Sequence, residues 1–93
     1  MLGMIYSDSW AHIGSVVRQT SIKVLCDWYR MVLRWSDEYE PSGPSLRTRN
    51  LMEDIDRLLY VIENDPFDYG WDHQWGEEIE MIGDTMNRMG ITA

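Results

Sequence analysis

Ninety-three residues, 44% of them hydrophobic, make one domain (1–93) with a single core and no room for a separate catalytic subdomain. The net charge of −8 is lopsided: residues 1–49 carry six Lys/Arg against five Asp/Glu, a balance of +1, and residues 50–93 carry two Arg against eleven Asp/Glu, a balance of −9. Such a chain repels nucleic acid and anionic membranes; it holds no apolar run of transmembrane length, and a lone Cys26 excludes an intramolecular disulfide.

The first element is expected from about Ser9 to Glu40. Trp10, Gly14, Val17, Ser21, Val24, Trp28, Met31, Trp35 and Tyr39 recur every three or four residues, the spacing of one helical stripe. Ser7 or Ser9 can cap its start, and EPSGP at 40–44 ends it. A helix of that length spans roughly 45–50 Å at 1.5 Å per residue, so a kink or break near Gly14 or Thr20–Ser21 is expected. Ile13, Val16, Val17, Thr20, Ile22 and Val24 are β-branched, and the alternative is an α+β fold with a short hairpin within 10–26. Ile22, Cys26, Tyr29 and Leu33 form a second apolar stripe beside the first. A helix apolar over so wide an arc is central in its own bundle or shared with another chain, which makes these four the expected homodimer interface.

The second element, Ser45 to Asn64, is a cleaner amphipathic helix. Leu51, Ile55, Leu58, Leu59 and Ile62 make its core face, and Glu53, Asp56, Arg57 and Tyr60 point away. Pro66 stops it, with turn chemistry at Asn64–Asp65. The third, Trp75 to Arg88, repeats the design with Trp75, Ile79, Ile82, Met86 and Met89, and Gly90 fits the C′ position. Gly83 inside it costs about 1 kcal/mol relative to Ala and points to close packing. The predicted fold is all-α: a small three- or four-helix antiparallel bundle with a long first helix.

Residues 65–78, DPFDYGWDHQWGEE, concentrate the chemistry. Asp72, His73, Glu77 and Glu78 are ligand types, but one nearby histidine and no thiolate make a solvated acidic turn the better reading, and His12 is predicted on another helix. Carboxylates acting as acid and base need one member desolvated; Glu77, Glu80 and Asp84 fall opposite the core stripe and should be wet. Cys26 sits in an apolar stripe, where an inert thiol is usual. There is no phosphate loop and no nucleophile elbow. The chain therefore reads as no enzyme, with no cofactor and no metal. Lys23, Arg30 and Arg34 with His12 give the first helix a basic side, but Asp27 and Asp37 interrupt it, and Lys23–Asp27 and Arg34–Glu38 can pair at i, i+4, which argues against direct nucleic-acid binding.

The acidic array carries the functional reading. Glu77, Glu80 and Asp84 line one helix face with charges about 5–6 Å apart, of the order of phosphate separations along a nucleic-acid strand. Glu53, Asp56 and Glu63 form a second row, and Asp65, Asp68 and Asp72 continue through the loop. Phe67 and Trp75 are expected to close the core; Tyr69 and Trp71 have no periodic reason to be buried and suit a binding hot spot. In size, charge and lack of motifs the chain resembles small phage-encoded inhibitors, including DNA mimics and anti-CRISPR proteins. The expected function is a non-catalytic inhibitor that occupies the basic, nucleic-acid-binding surface of a partner protein. Its contact residues would be Glu53, Asp56, Asp68, Tyr69, Trp71, Asp72, Glu77, Glu80 and Asp84. The alternatives are a homodimeric structural or assembly protein, or an antitoxin or immunity-type partner of a basic toxin. A cytoplasmic location follows from the unpaired cysteine and from MLGMIY, which lacks the length and basic start of a signal peptide.

Overall fold

The computed structural model describes residues 2–64 and 75–91, and of 2–17 the backbone alone. Three helices follow in order: α1 Leu2–Tyr39, α2 Leu46–Glu63 and α3 Trp75–Met89. The described residues contain no strand, and 10–26 lie wholly within α1. The hairpin alternative fails because each β-branched residue costs a helix only a few tenths of a kcal/mol, less than breaking a continuous ladder of backbone bonds. α1 also begins earlier than Ser7 and Ser9, which stand inside it rather than capping it, and it runs as one element through Gly14 and Thr20–Ser21.

The first corner is set by chemistry at Glu40–Ser45. Two prolines and Gly43, at φ +111°, turn the chain. Ser45 then caps α2 from an extended backbone, its hydroxyl accepting from the Thr48 N–H at 3.3 Å. Glu40 ties the two helices together: its carboxylate accepts from the Thr48 hydroxyl at 2.7 Å, the Ser36 hydroxyl at 3.0 Å and the Ser45 N–H at 3.3 Å. Thr48 and Ser36 are buried polar side chains, and this carboxylate satisfies both. The Ser45 side chain, then the Thr48 hydroxyl, with the Ser36 hydroxyl and the Ser45 N–H, hold the Glu40 pKa below its ordinary value against the opposing effect of partial burial.

α3 ends on a Schellman motif. Gly90 adopts φ +81° and donates to the Asn87 carbonyl at 3.1 Å, while Ile91 donates to Met86 at 2.9 Å. Ile91 is thereby folded back and buried beside Met86, adding a core residue just past the last helical turn.

The core consists of Leu25 and Val32 from α1, Leu51, Ile55, Leu58 and Ile62 from α2, and Trp75, Ile82, Met86 and Ile91. For α2 and α3 this matches the expected faces, with Leu59, Ile79 and Met89 at the margins. For α1 it does not. At about 100° per residue, Leu25, Val32 and Ser36 fall between the two expected stripes, so each stripe forms a shoulder of the buried face rather than its centre. Val24, Trp28, Met31 and Trp35 on one side and Ile22, Cys26 and Tyr29 on the other are half-buried. α1, at about 57 Å, is twice the length of α2, at about 27 Å. The long axis of the molecule, 60 Å against 22 and 17 Å across, is therefore the axis of α1. Among the described residues, α2 and α3 run alongside its C-terminal half.

Candidate binding surface

The outer face of α3 is acidic because the core stripe Trp75–Ile82–Met86 leaves Glu77, Glu80 and Asp84 on the far side, and all three are exposed. On α2, burial of Leu51, Ile55, Leu58 and Ile62 turns Glu53, Asp56, Tyr60 and Glu63 outward at i, i+3, i+7 and i+10. Tyr60 is 69% exposed among these acids, and Val61 and Met81 are also exposed. An exposed tyrosine with Asp56 and Glu63 as its neighbours along the helix is thus present on α2. The hot-spot residues expected from sequence, Tyr69 and Trp71 with Asp68 and Asp72, lie outside the described residues, as do Asp65, Phe67 and His73.

Helix electrostatics explain some of these acids and not others. Glu77 and Glu78 occupy the first turn of α3, where the positive end of the helix favours them, and Arg88 complements its last turn. Glu80 and Asp84 lie beyond that first turn. Glu63 ends α2, where a negative charge opposes the helix dipole at a cost of about 0.3–1 kcal/mol. Asp56 is mid-helix, and its neighbour Arg57 pairs with Asp54 at 3.6 Å instead. Asp56, Glu63 and Glu80 therefore stand where local folding energetics do not reward them, whereas Asp84 has Arg88 at i+4.

The residues expected to form a dimer interface are divided by the fold. Ile22 and Tyr29 pack against the chain's own core, Cys26 is a half-buried free thiol, and Leu33 is 40% exposed. On the basic side of α1, Asp27 pairs with Arg30 at 3.4 Å rather than with Lys23, and Arg34 and Glu38 form no ion pair with each other or with any other described residue. The i, i+3 geometry puts Arg30 closer to Asp27, and the long cationic side chains otherwise remain in solvent. An open groove of about 530 Å³ lies on this flank, lined by Asp27, Arg30, Met31, Arg34, Trp35, Glu38, Tyr39 and Gly90.

Among the described residues, no three His, Cys, Asp or Glu side chains gather where they could hold a metal ion, and no helix is long and apolar enough to cross a membrane. Sequence reasoning missed the Glu40 clamp, the buried Thr48 and the Leu25–Val32–Ser36 line. The last shares the helical spacing of the chosen stripes, but the large tryptophans on the shoulder outweighed it. Comparison with protein-family models, with characterised proteins and with solved structures finds no match to this chain.

Proposed function

We propose that the chain is a non-catalytic binding protein whose acidic α2–α3 surface occupies a basic, nucleic-acid-binding surface of a partner protein, in the manner of a small DNA-mimicking inhibitor. The observation that supports this reading is the placement of Asp56, Glu63 and Glu80. They are exposed, face outward, and sit where helix electrostatics give them no local role. Residues that cost folding something and return nothing to it are where function is to be sought. Tyr60 supplies a large amphipathic anchor between the carboxylates of α2, so charge steers the encounter and the ring adds contact area. Tyr69, Trp71, Asp68 and Asp72, which lie between α2 and α3 in sequence, are proposed as further contact residues.

The test is capture of host proteins on the immobilised chain across a salt series, with a Glu77→Lys/Glu80→Lys/Asp84→Lys variant beside the wild type. A basic nucleic-acid-binding protein retained at low salt, released at high salt and lost from the variant supports the reading. A captured partner held equally by the variant at moderate salt overturns it.

A further inference from the structure

We infer that the groove on the α1 flank binds a small zwitterion carrying a quaternary ammonium and a phosphate, with phosphocholine as the type. Its volume of about 530 Å³ falls within the roughly 300–1,000 Å³ usual for small-ligand sites. Four charged side chains line it, two of each sign, and they are not equivalent. Asp27 and Arg30 face each other at 3.4 Å and neutralise one another. Arg34 and Glu38 are both exposed and have no ion-pair partner among the described residues. Their order gives the reason: a cation four residues before an acid is the weaker orientation for a helical pair. Glu38 also stands in the last turn of α1, where the helix dipole disfavours an acid and no basic residue compensates it. The groove is left with one unengaged cation and one unengaged anion, about 5–6 Å apart along the helix.

The aromatic pair decides which end of the ligand goes where. The Trp35 and Tyr39 rings have centroids 5.5 Å apart and are tilted by 41°, so they form two walls of a corner rather than a closed stack. Both line the groove, with Trp35 half-buried and Tyr39 63% exposed. At 3.6 residues per turn, Glu38 falls between Trp35 and Arg34 around α1, about 60° from the first and about 40° from the second. A cation seated against the rings is thereby beside the Glu38 carboxylate as well, the pairing of ring and acid that suits a quaternary ammonium. Arg34, on the far side of Glu38, presents a guanidinium of the kind that takes phosphate. The two-carbon bridge of phosphocholine holds its charges about one helical turn apart, which matches that spacing. A simple cation would be opposed by Arg30 and Arg34, and a simple anion by Asp27 and Glu38; a zwitterion answers both signs. The groove lies on α1, so the inference stands independently of the proposed partner of α2 and α3.

The experiment is titration of the full chain with phosphocholine, choline and inorganic phosphate, followed by the NMR shift of the Trp35 indole. Wild type is compared with Glu38→Gln, Tyr39→Leu and Arg34→Gln, all at exposed positions, with circular dichroism to check each fold. Exposed charges are screened, so phosphocholine should saturate the shift at a Kd of about a millimolar, and choline or phosphate alone should bind about fivefold more weakly or worse. Glu38→Gln and Tyr39→Leu should each weaken choline and phosphocholine about three- to fivefold and leave phosphate unchanged. Arg34→Gln should weaken phosphate and phosphocholine and leave choline unchanged, a division that no general loss of folding could produce. Phosphatidylcholine vesicles that compete with the free ligand would identify a lipid headgroup as the source; vesicles that do not compete would identify the soluble zwitterion. No saturable shift with phosphocholine, phosphate alone binding as tightly as phosphocholine, or variants that all bind like wild type would each overturn the proposal.

Discussion

At the residue scale, the contact between Gly83 and Trp28 shows how one missing methyl group sets the fit of two helices. A Cβ built at Gly83 would lie 3.2 Å from Cη2 of the Trp28 ring, inside ordinary van der Waals distance. The indole of α1 therefore rests on the backbone of α3. Gly83→Ala should gain about 1 kcal/mol in helix propensity but lose roughly 1–3 to overpacking, a net loss near 1 kcal/mol by urea denaturation. In a Trp28→Phe background, which removes the clashing atom, the same change should become stabilising. A Gly83→Ala effect equal in both backgrounds would show that the ring is not the obstacle. The sequence disclosed that Gly83 is costly where it stands; only the fold discloses which side chain requires it.

At the scale of elements, the Glu40 clamp makes the α1–α2 joint sensitive to acid. A carboxyl with a lowered folded pKa contributes stability that is complete above its unfolded value and is lost as pH falls through the lowered folded value. Unfolding midpoints measured from neutral pH down through the carboxylate range should fall for wild type and fall less for Glu40→Gln, which is less stable at neutral pH and keeps no charge to lose there. Parallel pH profiles would rule out the clamp as the source. The helices themselves were legible in the sequence. Leu51, Ile55, Leu58 and Ile62 have a single apolar stripe to declare, and Ser45, Asn64 and Gly90 mark ends by side-chain or backbone chemistry that acts locally. The joint was not legible, because Glu40, Ser36 and Thr48 are polar residues whose burial depends on two helices meeting. α1 hid its buried line for a related reason: with apolar residues on both shoulders, only the position of α2 and α3 decides which line is central.

At the scale of the whole molecule, the negative charge is a standing tension. With a net −8 and acids exposed on both α2 and α3, the folded state repels itself at low ionic strength. Thermal midpoints of dilute protein should rise as salt is added up to about 0.15 M, where the Debye length falls to roughly 8 Å, and then level off. A midpoint that falls over this range would mean that attractive surface pairs outweigh the repulsion. The candidate surface was half legible for the same global reason: charge balance by halves is a sum over the sequence, whereas the outward direction of each acid follows from what its helix buries.

The length of α1 also governs how the protein travels through solvent. A 93-residue globule has a radius of gyration near 12 Å, about 2.2 Å times the 0.38 power of its length, whereas this chain has 16.1 Å. Friction on a 60 Å rod-like body exceeds that on a sphere of equal mass. A single copy therefore elutes ahead of its mass on a sizing column and sediments more slowly than its mass implies, so elution position alone overstates the mass of a lone chain.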